Sequence, residues 1–216
     1  MNVSRAVLAG SLRSVYFSHG SRYFGVIWLY ESETNTGFCV QRRSVHTMIE
    51  ISLQSVSWLN TPNDSPEDKC AHGRVRFSVN GAVLVHPTDE WTVSAAAIYL
   101  LRTLQSDHTD AHPLCEHLFP CCGHTMIDDG NEDVAILGCC NGVNLAIQRT
   151  NDSVTISNAE GNCFSVPYDE YAEAVRHFSS AVRAFYDKSA PKTFWDEREE
   201  KGFRKMMNEW ERRHPR

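Results

Sequence analysis

The chain lacks any stretch approaching the eighteen or so consecutive apolar residues of a membrane-spanning helix. Its best candidate, FGVIWLY at Phe24–Tyr30, is far too short. It also lacks an excess of positive charge. With 21 Lys and Arg against 27 Asp and Glu, the net charge is −6, which argues against non-specific nucleic-acid binding, because phosphate contacts need a basic surface. No repeat of fixed period appears. Ordinary shares of hydrophobic residues (42%) and charged residues (22%) exclude disordered, collagenous and coiled-coil chains. Cysteine is not scarce: there are eight. A disulfide scaffold suits chains under about 100 residues that cannot bury a core. At 216 residues this chain can bury one, so the sequence reads as a cytoplasmic protein with reduced thiols, either one large domain or one domain with an appendage.

The charge is unevenly spread. Residues 1–46 carry five Arg (Arg5, Arg13, Arg22, Arg42, Arg43) against Glu31 and Glu33. The first thirty residues contain no acid and no clean apolar period. Arg- and Ser-rich, acid-poor composition fits a transit peptide, whereas a secretory signal would need an apolar core followed by a cleavage site. The favoured reading places residues 1–47 outside the fold, with a start at Met48, and assigns 48–216 to a single domain.

From Thr47 the patterning is legible. Ile49, Ile51 and Leu53 alternate, then Val56 and Trp58 follow out of step, predicting a strand over 48–59 with an irregularity. Pro62, Pro66 and Gly73 punctuate a loop that carries Asp64, Glu67 and Asp68, a cluster read as solvated. Val75, Phe77 and Val79 run into Asn80-Gly81 and return through Val83 and Val85, a hairpin. Val93, Ala97, Leu100, Leu101 and Leu104 form one apolar stripe of a helix starting near Thr92 or Ser94. Val134 and Ile136, then Val143, Leu145 and Ile147, then Val154 and Ile156, then Phe164 and Val166 predict a four-stranded meander. Tyr171, Val175, Phe178, Val182 and Phe185 mark a long helix from about Pro167, stopped at Ser189-Ala190-Pro191. A charged helix from about Asp196 to Arg212 carries Phe203, Met207 and Trp210 on one face. This order predicts an α+β domain with mostly antiparallel sheet, hairpin plus meander, packed by about three helices.

Two adjacent Cys pairs stand out, in EHLFPCCGHTM (Glu116–Met126) and ILGCCNG (Ile136–Gly142). Three times the chain writes Cys-x-His, at Cys70/His72, Cys115/His117 and Cys122/His124. Residues i and i+2 of an extended segment project to one side, so both can approach one ion. Zinc accepts thiolate and imidazole ligands tetrahedrally, and the candidate ligands are Cys122, His124 and Cys139, completed by Cys70 or His72. The spacing is not the strong CxxC…CxxC form. The plain alternative is a set of buried thiols, since free Cys is among the most buried residue types. A third reading makes Cys122 and His124 a nucleophile–base pair with Asp107 or Asp110 orienting the imidazole. In all three the two Cys loops should meet at one end of the sheet. From each pair, one sulfur should face the other loop and its neighbour should point into the core.

WTVSAAAIYLLRTL, HLFPCCGH, GCCNG and the closing AFYDKSAPK with its later Phe and Glu-Trp resemble an uncharacterised bacterial protein family of no established activity. The resemblance covers about residues 48–216 and implies a bacterial cytoplasmic origin. It also implies an acidic residue where Asn144 stands, and this chain departs there. Together these readings lead to a non-enzymatic binding or interaction protein with a protein partner, no nucleic acid and no membrane, holding zinc in its Cys/His loops. An immunity-type protein acting on a basic toxin is one version. The alternative is a small zinc- or thiol-dependent hydrolase, with Glu116 a candidate base beside the metal.

Overall fold

The computed structural model describes residues 13–15, 27–29, 48–59, 64–123 and 125–214. Two short strands, β1 (Arg13–Val15) and β2 (Ile27–Leu29), pair antiparallel with each other. The rest of the segment expected to stand outside the fold lies outside the described residues.

The main sheet is built on β4 (Ala71–Val79). Along one side runs β3 (Ile49–Trp58); along the other, end to end, lie β5 (Ala82–Val85) and β6 (Glu90–Thr92). The irregularity expected in β3 is a register shift between Leu53 and Ser55. One extra residue moves the inward face by one position, so Ile51 before it and Trp58 after it are both buried. The hairpin turn has Asn80 at φ 52° and Gly81 at φ 82°, the pair of positive φ values a type I′ turn requires.

Helix α1 (Val93–Thr103) is buried along all eleven of its residues. The single stripe expected of it understates the burial: Ser94, Ala95, Ala96 and Ala97 let neighbours approach from every side. Two of its polar members are tied to neighbouring elements. Thr103 Oγ1 lies 2.6 Å from both Leu100 O and Tyr171 Oη, and Arg102 forms a two-pronged pair with Glu209 at 2.8 and 2.9 Å.

The expected four-stranded meander is divided. β11 (Ala146–Arg149), β12 (Ser153–Ser157) and β13 (Cys163–Pro167) form a three-stranded sheet. β9 (Ala135–Leu137) instead pairs with β8 (Thr125–Ile127), and β10 (Gly142–Val143) pairs with β7 (Phe119–Pro120). Leu145 and Ile147 are buried as the alternation requires; what the pattern did not show is that the strand partners are the short β7 and β8, which lie between α1 and β9. Asn144 accepts a hydrogen bond from Nε2 of the fully buried His108 at 2.7 Å, while His108 Nδ1 accepts from the Leu114 N–H.

Helix α2 (Tyr168–Asp187) buries Tyr171, Val175, Phe178 and Val182 as expected. At its end Tyr186 is buried rather than Phe185, which stacks on Trp58 with ring centroids 4.7 Å apart. Helix α3 (Glu197–Arg213) starts on Asp196, whose side chain accepts from the Glu199 N–H. Its buried face is Gly202, Met206, Glu209 and Trp210, not the Phe203–Met207–Trp210 face of the sequence reading, and it packs on β8 and α1. Gly202 matters there, because a Cβ at this position would stand 1.9 Å from the Met126 carbonyl oxygen. The acidic loop is not simply solvated either: Asp68 accepts from the Leu59 N–H at 2.6 Å and Asp64 pairs with Lys192 at 3.1 Å. Among the described residues no helix is long and apolar enough to cross a membrane.

Candidate functional site

Two turns meet beside α1. The first, Cys121–Gly123, leaves β7; the second, Gly138–Asn141, leaves β9 and enters β10. The β7–β10 pairing continues into them through a hydrogen bond from the Cys121 N–H to Asn141 O at 2.9 Å. Thr92, capping position of α1, donates its hydroxyl to Cys121 O at 3.3 Å. The Cys139 N–H donates to the sulfur of Cys122 at 2.8 Å. The contact depends on Gly138, where a Cβ would lie 2.0 Å from the Cys122 carbonyl oxygen. Only glycine lets these backbones approach so closely.

The two turns form one wall of a cleft of about 220 Å³, whose lining includes Tyr99, Arg102, Cys115, His117, Cys122 and Cys139. Its opposite wall is β9 and Val134. That strand is held to α1 by Tyr99 Oη donating to Ile136 O at 3.3 Å and by Arg102 Nη2 donating to Val134 O at 2.7 Å. Glu209 completes the frame, accepting from the Val134 N–H at 2.8 Å. A larger groove, about 540 Å³, lies between α2 and α3. Its charged Arg183 is paired with Asp187 and Glu211, and it holds no thiol.

Within the cleft the thiols differ sharply. Burial pushes Cys115 up to about 12, and the same cause pushes Cys70 up to about 12. Both stay protonated at neutral pH. Cys139 behaves in the opposite way. Hydrogen bonding with the Cys122 side chain first, then with the Asn141 backbone and the Cys121 side chain, holds the Cys139 thiol below its ordinary range. Cys122 and Cys121 are correspondingly raised, Cys122 chiefly by its hydrogen bond to Cys139 and Cys121 chiefly by desolvation. Hydrogen bonds to a charged form favour that form, so Cys139 is the most readily ionised of these three thiols.

Of the residues read as metal ligands, the structure brings Cys122 and Cys139 together. Cys70 lies behind them, fully buried, its thiol donating to Gly123 O at 3.3 Å. His72 is buried in β4, opposite Ser57 on one side and Thr92 on the other. His124 lies outside the described residues. Among the described residues no group of three or more His, Cys, Asp or Glu side chains is arranged to hold a metal ion. Glu116, the candidate base, does line the cleft.

Of the expected division of each Cys pair, one sulfur facing the other loop and its neighbour in the core, the first half is found at Cys122 and Cys139 and the second is not. Cys121 and Cys140 are exposed and Cys122 and Cys139 half-buried. The expectation rested on strand alternation, but both pairs sit in bends between strands, where successive side chains need not oppose each other. Nor are the pairs a buried sulfur cluster; that description fits Cys70. Six described cysteines are free, and Cys163 is disulfide-bonded, so the uniformly reduced state read from composition does not hold at β13.

The sequence reading passed over Cys121, Gly138 and Gly142 as working parts. Glycines flanking a Cys pair were the available signal. Read as turn residues, they are positions of close approach: a Cβ on Gly142 would meet His117 Cβ at 2.7 Å. Compared with family models, with curated proteins and with solved structures, the chain matches none.

Proposed function

We propose that this chain is a binding protein that works through a reactive thiol, with Cys139 as the attacking sulfur and the Cys115–Cys122 side of the cleft as the surface that receives its target. The observation that carries this reading is the contact between the two turns, where the Cys139 N–H donates to the Cys122 sulfur at 2.8 Å, with hydrogen bonding that holds the Cys139 thiol below its ordinary range. A thiolate, not a thiol, is the nucleophile and the soft ligand, and this arrangement places it at a half-exposed position at the mouth of a small cleft. An acidic net charge suits a basic protein partner and not nucleic acid.

The same sulfurs favour zinc as the second reading. Cys122 and Cys139 are adjacent, the Cys139 N–H already donates to one of them, and such amide donors stabilise coordinated thiolates. Cys70 is a poor member of that ligand set, because its thiol is desolvated and committed to a carbonyl. The thiol-hydrolase reading with Cys122 as nucleophile is disfavoured by the same electrostatics, which keep the proton on Cys122.

Competitive alkylation separates these readings. With limiting iodoacetamide at neutral pH and peptide mass mapping, Cys139 should be modified several-fold faster than Cys121, Cys122 and Cys140. If Cys122 is modified first, the hydrolase assignment of the nucleophile replaces this one. Stoichiometric zinc in the purified protein, with Cys139 protected until a chelator is added, would establish the metal reading.

A further inference from the structure

We infer that Cys122 and Cys139 form one reversible dithiol–disulfide couple, which exchanges two electrons with a small-molecule disulfide entering the cleft. The inference rests on the thiol reading above and adds its reaction and its substrate class.

Three structural observations carry it. The Cys122 sulfur lies 2.8 Å from the Cys139 backbone nitrogen, so the two residues are in contact in the reduced state. Gly138 removes the side chain that would hold the turns apart. Both sulfurs line the same cleft, whereas Cys121 and Cys140 are not among its lining residues. A disulfide needs Cβ atoms within about 3.5–4.5 Å and a sulfur–sulfur bond of about 2.05 Å. With the Cys122 sulfur already against the Cys139 backbone N–H, side-chain rotation is the movement that brings the two sulfurs together.

The chemistry balances without a metal or cofactor. The Cys139 thiolate attacks one sulfur of a disulfide RS–SR along the S–S axis, forming Cys139–S–SR and expelling RS⁻, which takes up a proton as RSH. The Cys122 thiol then loses its proton to solvent and attacks the Cys139 sulfur. The Cys122–Cys139 bond forms, the Cys139–SR bond breaks, and a second RS⁻ leaves. Overall the protein thiols give two electrons to RS–SR and yield two RSH. The order of attack follows the role proposed above for Cys139, and exchange proceeds through the attacking thiolate and a mixed disulfide. A cleft of about 220 Å³ accommodates a compact R group but not a folded protein segment, which assigns the substrate to low-molecular-weight disulfides.

The test uses the full chain, reduced and freed of reductant, with 2-hydroxyethyl disulfide as the probe. The wild type should release two 2-mercaptoethanol per chain and acquire an internal bridge that mass mapping locates at Cys122–Cys139. Cys122→Ser should stop at the mixed disulfide, gaining one adduct on Cys139 and releasing one thiol. Cys140→Ser, at an exposed thiol outside the cleft, should behave as wild type, which also controls for folding. A stable mixed disulfide on Cys139 in the wild type, or a bridge from Cys139 to Cys121, would overturn the couple while leaving the reactive Cys139 intact. Absence of any adduct at Cys139, together with slow alkylation there, would overturn the underlying thiol reading instead.

Discussion

The reactivity of the site is decided at single atoms. Cys139 and Cys115 line the same cleft, yet burial raises the one to about 12 and hydrogen bonds lower the other. The sequence showed the pairs but not this asymmetry, since adjacent letters in Cys121-Cys122 and Cys139-Cys140 carry no information about which sulfur receives donors. Gly138 makes the sharpest residue-scale prediction. A Cβ there would lie 2.0 Å from the Cys122 carbonyl oxygen, closer than any relaxed contact, so Gly138→Ala must push the two turns apart. Overpacking of this kind costs about 1–3 kcal/mol. Chemical denaturation should show that loss, and alkylation of Cys139 should slow as its donors withdraw. Unchanged stability with unchanged labelling would mean that the turns separate freely and that their contact has no function.

At the scale of elements, the cleft is framed by a buried ionic link between α1 and α3. Arg102 and Glu209 are paired at 2.8 Å, Glu209 is fully buried, and both hold Val134, the residue that leads into β9. Asp133 and Arg213 extend the link at 2.6 Å. Removing one partner leaves an uncompensated buried charge, which costs about 3–5 kcal/mol, whereas replacing both with apolar residues of similar volume is often near neutral. Arg102→Met and Glu209→Leu should each lower the melting temperature strongly, and the double variant should recover most of the loss. Additive effects in that cycle would show that the two charges do not depend on each other.

Elements also show how far the sequence could be read. The β3 bulge, the Asn80-Gly81 hairpin and the stripe of α2 were legible because each is written in a local period or a turn residue. The pairing of β9 with β8 and of β10 with β7 was not. Strands of two or three residues are too short to show alternation, and the β7–β10 pair encloses the β8–β9 pair, a nesting that leaves no local mark. The buried face of α3 was displaced because Gly202 and Glu209 do not look like core residues, although the first admits the Met126 backbone and the second neutralises Arg102. The candidate site was half legible: Cys122 and Cys139 were singled out together, while Cys121 and the glycines that bring the turns into contact were not.

For the molecule as a whole, the α+β fold brings an interior helix, two short ribbons and a C-terminal helix around one cleft, with the larger sheets as support. The central claim is that this architecture makes one thiol, Cys139, more acidic than an ordinary cysteine. The most direct measurement is the pH dependence of its alkylation rate, followed by mass spectrometry and compared with a free thiol whose pKa is about 8.5. Donors that favour the thiolate keep it populated to lower pH, so the Cys139 profile should be displaced to lower pH than the reference. Cys122→Ser should move it back upward as the first of those donors is changed. A Cys139 midpoint at or above that of the free thiol would contradict the account.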